Sequence, residues 1–174
     1  EVNKYTEEDT KKGFIAPLFE ALGWDFADRN EVTAEEHQSN GRVDYGFYLN
    51  GHVKFYLEAK SLRADLNREE YANQAIRYSW NKGVNWAILT DFESLKVFYT
   101  QDPNQSLFSK LVFEIRFEEY VEKFDKLRLL SKEAFQNGEL ETFARSNAKM
   151  MQKVSVGDQL YRHLNECREL LTAK

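Results

Sequence analysis

The stretch GRVDYGFYLNGHVKFYLEAK, residues 41–60, decides the fold of this chain. Apolar and aromatic residues alternate with polar or small ones up to Leu49, and the run from Val53 onward is rich in aromatic and branched side chains. Asn50-Gly51 between these runs is the dipeptide that best suits a two-residue hairpin turn. The stretch therefore predicts two antiparallel strands joined by a tight turn.

Two carboxylates and an amine come together at the end of this predicted hairpin. Side chains two residues apart on a strand share a face, so Glu58 and Lys60 point one way and Ala59 points the other. Asp44 lies at the matching end of the partner strand, where the hairpin brings it close to Glu58. Two carboxylates in a small space repel each other unless a cation lies between them, and their hard oxygens suit Mg²⁺ or Mn²⁺.

Such a cluster has a chemical use. A bound divalent ion polarises a phosphoryl oxygen and activates water, and a neighbouring ammonium orients that water or offsets charge in the transition state. The pattern thus predicts metal-dependent phosphodiester hydrolysis. Glu-x-Lys by itself is equally typical of the solvated face of an edge strand, where Lys and Glu oppose aggregation.

A helix predicted over residues 68–81 adds a second pattern, because Gln74 and Tyr78 lie four apart on one side of it. In this order, Asp44, Glu58-Ala59-Lys60 and Gln74-x-x-x-Tyr78 resemble the PD-(D/E)xK nuclease superfamily. The likeness is greatest to the nuclease domains of type I restriction enzyme motor subunits and of single-chain type IIG restriction-modification enzymes. The opening TEEDTKKGFIAPLFEALGWD is similar to the start of those domains. Val43 stands where many members have proline.

The resemblance implies an α/β fold, in which a central mixed sheet of four or five strands is flanked by helices in a restriction-endonuclease-like core. It implies Mg²⁺ as the cofactor, with Mn²⁺ able to substitute, and double-stranded DNA as the partner. The implied metal ligands are Asp44, Glu58 and the Ala59 carbonyl. Lys60 would orient the attacking water or offset charge at the scissile phosphate, and Gln74 and Tyr78 would position the DNA or the catalytic lysine. Plain helix packing is the alternative for Gln74 and Tyr78.

The first predicted helix, residues 6–22, carries a further candidate ligand. A spacing of 100° per residue places Glu8 within the apolar arc of this helix and Glu20 on the opposite side. The resemblance implies that an acidic residue of the first helix joins the metal site, and Glu8 is the matching position. The alternative is that Glu8 only stabilises the helix start through the helix dipole. Pro17 should kink or split the helix.

Further elements complete the predicted sheet. Residues 24–33 form a loop into a short strand, residues 37–41 a polar turn, and residues 84–90, 95–100 and 111–117 three more strands, the last at an edge. Arg63 and Arg68 lie in or beside the loop after the hairpin. They are candidates for contacts with the DNA backbone, and solvated surface is the alternative for each.

The sequence pattern changes after residue 117 from predicted strands to predicted helices. Residues 118–130, 131–151 and 155–171 read as three helices without chemically suggestive residues. We therefore divide the chain into a nuclease core, residues 1–117, and a C-terminal helical segment, residues 118–174. These helices either pack back on the core or form a connector. The resemblance implies a connector that leads to methyltransferase and target-recognition domains in a longer protein.

The amino-acid composition limits the class of protein to which this chain can belong. The sequence is 42% hydrophobic and 30% charged, which is typical of a globular domain, and it contains no apolar run long enough to span a membrane. A single cysteine, Cys167, excludes an internal disulfide and fits a reducing cytoplasm.

The net charge of −5 is unusual for a free-standing DNA-binding domain, so the chain either does not bind nucleic acid or is a cutting module whose DNA affinity comes from elsewhere. Two alternatives stay open: a non-catalytic interaction scaffold with a degenerate site, and a structure-specific repair nuclease such as a Holliday-junction resolvase. Cleavage of both strands by one active site requires either two protomers, as in a transient dimer on DNA, or two visits by one protomer, and the sequence leaves both open.

Overall fold

The computed structural model describes residues 5–38, 41–101 and 106–147. At its centre the strands β2 (Gly41–Leu49) and β3 (His52–Ala59) pair in antiparallel fashion. Asn50 and Gly51 both adopt left-handed conformations, with φ of 53° and 76°, as a two-residue turn of type I′ requires. The predicted hairpin is confirmed.

The sheet has six strands in the order β1-β2-β3-β4-β5-β6. Its other strands are β1 (Val32–Gln38), β4 (Trp86–Thr90), β5 (Ser94–Tyr99) and β6 (Leu111–Arg116). Only β3 and β4 run parallel among these neighbours, so the sheet is mixed, as the predicted fold class requires. The expected number of four or five strands was too low.

Strand β1 is longer than we expected. His37 and Gln38 pair with Arg42 and Gly41 on β2, although the sequence suggested a polar turn there. Backbone pairing with the neighbouring strand does not depend on apolar side chains. A polar segment can therefore extend an edge strand even though its composition does not predict a strand.

Helices cover both faces of the sheet. Adjacent residues of a strand point to opposite faces, and β3 shows both. On one face Tyr56 contacts Tyr78 of α3 (Glu69–Asn81), with ring centroids 4.8 Å apart. On the other face Phe55 packs against Trp24 and Phe135 at centroid distances of 5.5 and 4.9 Å. The result is a three-layer arrangement that buries the sheet between helices.

The first helix is continuous but changes type. It consists of α1 (Glu7–Thr10), a π-helical segment (Lys11–Ile15) and α2 (Ala16–Ala21). Thr6 and Asp9 form a capping box, as the spacing Thr6-x-x-Asp9 in the sequence predicts. Pro17 lies in the first turn of α2, where its missing N–H costs little, so the predicted disturbance of the helix takes the form of the π-helical segment before it.

The C-terminal helices are shorter than predicted. A four-residue helix, α4 (Leu107–Lys110), precedes β6, and α5 (Phe124–Arg128) and α6 (Lys132–Gln136) follow it. The helix predicted over residues 131–151 is interrupted because Gly138 takes a left-handed conformation, with φ of 66°. Residues 139–147 resume as helix, and the helix predicted over residues 155–171 lies outside the described residues.

The chain forms two compact units, the first ending at Asn137 and the second beginning at Gly138. Within the first unit, the Trp24 indole N–H donates to the Leu130 carbonyl over 2.9 Å, and the Lys132 N–H donates to the Leu22 carbonyl over 3.0 Å. Residues 124–137 therefore pack back on the sheet. The division after residue 117 stays a prediction. Within the described ranges, no helix combines the length and apolar character needed to cross a membrane.

Candidate active site

Asp44 and Glu58 lie opposite each other at one end of the central hairpin. Tyr45 pairs with Leu57 in the β2–β3 ladder, which sets the preceding Asp44 against the following Glu58. Both carboxylates are nearly buried, with 6% and 3% of their surface exposed. The Ala59 N–H donates to Asp44 Oδ2 over 2.8 Å, which holds the Asp44 side chain against the end of β3.

Among the described residues, only one carboxylate oxygen of Glu58 has hydrogen-bond partners. Its Oε1 accepts from Lys60 Nζ over 2.5 Å and from Gln74 Nε2 over 2.8 Å. Its Oε2 is buried and, among the described residues, has no hydrogen-bond partner. A buried carboxylate oxygen without a partner is costly, which makes this oxygen a candidate to face a ligand.

Burial perturbs the ionisation of Glu58. Loss of solvent raises the pKa of Glu58 to about 7, the hydrogen bond from Lys60 opposes this increase, and the nearby charge of Asp44 adds to it. A raised carboxyl pKa at a cluster of charged groups is common at functional sites. A metal ion would have to bind the ionised form, so its affinity should fall as the pH drops below 7.

We expect Glu58→Gln to stabilise the metal-free protein in a pH-dependent manner. Folded Glu58 holds its proton up to about pH 7, whereas the unfolded chain releases it near the usual glutamate pKa of 4.5. The free energy of unfolding of the wild type therefore falls by about 3 kcal/mol as the pH rises between these two values. The Glu58→Gln variant has no titrating group at this position and does not show this fall. Urea unfolding in EDTA at pH 4.5 and 8 measures the difference.

The control for this prediction is Glu20→Gln at an exposed position of α2. It should leave the pH dependence of the unfolding free energy as in the wild type. A Glu58→Gln protein whose advantage is the same at pH 4.5 and 8 would contradict the assignment of a raised pKa to Glu58.

The first helix reaches this site through Lys11, which the sequence analysis missed. Lys11 is 5% exposed, and its Nζ lies 2.5 Å from Asp44 Oδ1. Burial lowers the pKa of Lys11, the hydrogen bond and charge of Asp44 raise it, and the net direction is upward. The sequence did contain a signal for a buried Lys11, because this residue precedes the buried residues Ile15 and Phe19 by four and eight positions. A lysine on a buried stripe requires a partner.

The expectation that Glu8 faces inward was wrong. Glu8 is exposed and contacts Lys12 over 3.2 Å and Lys11 over 3.7 Å, whereas Glu7 is partly buried and lies 3.4 Å from Lys11. The π-helical segment between Lys11 and Ile15 explains this error, because a fixed 100° per residue does not extrapolate across it. A role for Glu8 at the site stays a prediction. Glu20 is exposed, as expected.

The remaining predicted residues divide into two groups. Gln74 lies at the site, where its Nε2 also donates to the Arg42 carbonyl over 3.3 Å. Tyr78 is buried one turn away in a cluster with Val43, Tyr56 and Val84, which is the packing role we kept as the alternative. Its predicted part in catalysis stays untested.

The two candidate DNA-contacting arginines are exposed, and each has an acidic neighbour. Arg63 Nε lies 3.7 Å from Glu93 Oε1, and the Arg68 guanidinium lies 3.5 Å from Glu70 Oε1. Surface ion pairs of this kind are weak and break easily, so these contacts leave both side chains able to reach an anion. Their role in DNA binding stays a prediction.

The donor set can be tested against Mg²⁺. Within the described part of the chain, no three His, Cys, Asp or Glu side chains gather closely enough to hold a metal ion by themselves. Mg²⁺ does not require this, because it usually keeps several waters and binds through one or two carboxylates. Asp44 and Glu58 supply two carboxylates, and the unpartnered Glu58 Oε2 supplies a free oxygen. The residues fit this ion.

Comparison with known proteins gives three similarities. No protein-family model matches the chain. The chain is 26% identical over 186 aligned positions to the type II restriction enzyme and methyltransferase RM.Eco57I of Escherichia coli, and the match covers 97% of this chain and 19% of that protein. The chain thus spans about a fifth of the length of this curated relative.

Two solved structures are also similar. One is a fragment described as an HsdR subunit of a type I restriction enzyme from Vibrio vulnificus, with 19% identity, a TM-score of 0.44, and coverage of 54% of this chain and 21% of that one. The other is the type IIG restriction endonuclease BpuSI, with 23% identity, a TM-score of 0.38, and coverage of 71% and 15%. All three similar proteins are restriction enzymes.

Proposed function

We propose that this chain is a Mg²⁺-dependent endonuclease domain of a restriction enzyme and that it hydrolyses phosphodiester bonds in double-stranded DNA. The observation that carries this proposal is the convergence of Asp44, Glu58, Lys60 and Gln74 at one end of β2 and β3. The similarity to a restriction enzyme and methyltransferase over 97% of the chain supports the biological setting.

In this proposal Asp44, Glu58 and the Ala59 carbonyl hold the metal ion. The bound ion would polarise a phosphoryl oxygen and activate water. The chain's own contribution is to keep the two carboxylates in place. The Ala59 N–H orients Asp44, and the Gln74 amide orients Glu58 while it also ties α3 to β2 through the Arg42 carbonyl. Such supporting bonds set the direction in which a ligand oxygen points.

Lys60 supplies the positive charge beside the carboxylates. Its backbone N–H donates to the Thr90 carbonyl over 2.9 Å, which fixes the end of β3 against β4, and its ammonium lies 4.8 Å from the centroid of the Tyr71 ring. Its side chain is only 13% exposed, so water screens this charge weakly. We assign Lys60 to orienting the attacking water or offsetting charge at the scissile phosphate.

The proposal extends to the rest of the enzyme. RM.Eco57I is named as both a restriction enzyme and a methyltransferase, and this chain matches 19% of its length. We therefore propose that methyltransferase and target-recognition domains belong to the same polypeptide and supply most of the DNA affinity. That arrangement accounts for a cutting domain whose net charge is −5.

Metal binding is the decisive test of this function. We expect the wild-type chain to bind Mn²⁺ at a saturable site, and the Asp44→Ala/Glu58→Ala variant to bind it at least about 100-fold more weakly. Water-proton relaxation, titrated with Mn²⁺, reports both the affinity and the water retained on the ion. This assay does not depend on DNA recognition.

Two further variants control this experiment. Glu69→Ala/Glu70→Ala removes the same number of carboxylates from exposed positions of α3 and should bind Mn²⁺ as the wild type does. Asp44→Asn/Glu58→Gln keeps the side-chain shapes and should lose binding without loss of fold, as judged by circular dichroism. Equal, weak binding by all four proteins would overturn the proposal and favour the interaction scaffold.

A further inference from the structure

The buried ammonium of Lys11 lies where a divalent cation would compete with it. Asp44 Oδ2 already accepts the Ala59 N–H, so Oδ1 is the Asp44 oxygen that faces the first helix, and Lys11 Nζ lies 2.5 Å from it. Lysine is almost never buried to this degree unless it is paired. Its acidic neighbours Glu7 and Glu8 are farther away, at 3.4 and 3.7 Å, so Asp44 is its principal partner.

The contact between Lys11 and Asp44 balances charge at the site. When Asp44 and Glu58 are both ionised they carry two negative charges, and the ammonium groups of Lys11 and Lys60 lie 2.5 Å from their oxygens. Neutralisation by lysine allows a buried carboxylate to stay ionised without a metal ion. Because like charges repel strongly where water is excluded, a divalent ion on Asp44 Oδ1 and the Lys11 ammonium cannot both remain at that oxygen.

We propose that Lys11 is an internal counter-cation that competes with the divalent metal for Asp44 and thereby limits the metal affinity of this site. The inference rests on the proposed function and adds a residue that acts through Asp44. Lys11 stabilises the metal-free site, and metal binding requires its ammonium to leave Asp44 Oδ1. Lys11 is buried and is the first residue of the π-helical segment, and π-helical turns often occur at functional positions.

Lys12 provides a matched control. It is the next residue of the same helix and carries the same charge, but its side chain is 76% exposed and contacts Glu8 over 3.2 Å. Substitution of either lysine changes the net charge by the same amount. A difference between the two variants therefore reports the contact with Asp44 and excludes a general electrostatic effect.

The test is Mn²⁺ affinity, measured by electron paramagnetic resonance of the free ion. We expect Lys11→Met to lower the dissociation constant about tenfold or more, because the metal no longer displaces a cation. Lys12→Met should change it less than about twofold, and Lys11→Arg, which keeps the charge, should leave it near the wild-type value. The melting temperature of metal-free Lys11→Met should be below that of the wild type and should rise more on addition of Mn²⁺.

A second measurement uses the wild type alone and does not depend on the folding of a variant. Reductive methylation, read by peptide mass spectrometry, should modify Lys11 slowly without metal and several times faster at saturating Mg²⁺, while Lys12 reacts equally in both states. Unchanged or weaker Mn²⁺ binding by Lys11→Met, or a Lys11 methylation rate that Mg²⁺ does not change, would overturn the role of Lys11. Absence of any Asp44-dependent Mn²⁺ binding in the wild type would instead overturn the proposed function, and this inference with it.

Discussion

Replacing Lys60 with alanine is expected to slow DNA cleavage by about 10²- to 10⁴-fold while the fold and Mn²⁺ binding persist. The Lys60 ammonium lies 2.5 Å from Glu58 Oε1 in a poorly hydrated site, where a positive charge acts strongly on developing negative charge. This variant keeps the proposed metal ligands, which are Asp44, Glu58 and the Ala59 carbonyl. The rate is measured as conversion of supercoiled plasmid to nicked and linear forms with Mg²⁺.

Lys54→Ala is the control for this experiment. Lys54 lies on β3, six residues before Lys60, which directly follows that strand, and its removal changes the net charge equally. It should leave the cleavage rate within about twofold of the wild type if Lys60 acts locally. Plasmid cleavage by Lys60→Ala at the wild-type rate would rule out the proposed catalytic role of this lysine.

The largest expected loss of stability follows from Phe55→Ala, which should lower the free energy of unfolding by about 3–5 kcal/mol. Phe55 is fully buried, stacked on Phe47 and Phe135 at centroid distances of 4.2 and 4.9 Å, and in edge contact with Trp24 at 5.5 Å. Truncation leaves a cavity between the sheet and two helical segments, which cannot close without moving both. Urea unfolding followed by tryptophan fluorescence measures the change.

Phe124→Ala is the matched truncation at the surface. Phe124 is 53% exposed, and its removal should change stability by less than about 0.5–1 kcal/mol. If Phe55→Ala cost no more than Phe124→Ala, then residues 124–137 would not pack on the sheet as the structure has them. The same pair of variants thus tests the assignment of α6 to the first compact unit.

Local patterns account for the parts of this protein that were predicted correctly. The hairpin follows from alternation along β2 and β3 and from the positive φ angles that Asn50-Gly51 readily adopts. The approach of Asp44 to Glu58 then follows from the register, since a two-residue turn leaves few ways to pair the strands. The Thr6–Asp9 capping box is equally local. Each of these features depends on residues close together in the sequence.

The missed features depend on contacts between distant segments. The choice between Glu7 and Glu8 depends on where the π-helical segment falls, which the packing of the first helix decides. Packing was kept as the alternative for Tyr78, and only the positions of Val43 and Tyr56 on the sheet decide that it belongs to a packed cluster. The extension of β1 through His37 and Gln38 was not expected, because these polar residues give no strand signal of their own.

The amino-acid sequence alone determined the hairpin, the mixed α/β class and the pair of facing carboxylates with a lysine beside them. The hairpin and the facing carboxylates follow from period-two alternation and turn chemistry, which act over a few residues, whereas the α/β class follows from the family resemblance and the set of predicted helices and strands. Only the tertiary structure decided that Lys11 binds Asp44, that Glu58 keeps one oxygen unpartnered among the described residues, and that burial raises the pKa of Glu58 to about 7. The reason is that desolvation and ion pairing depend on every segment packed around a group, and these segments are distant in the sequence.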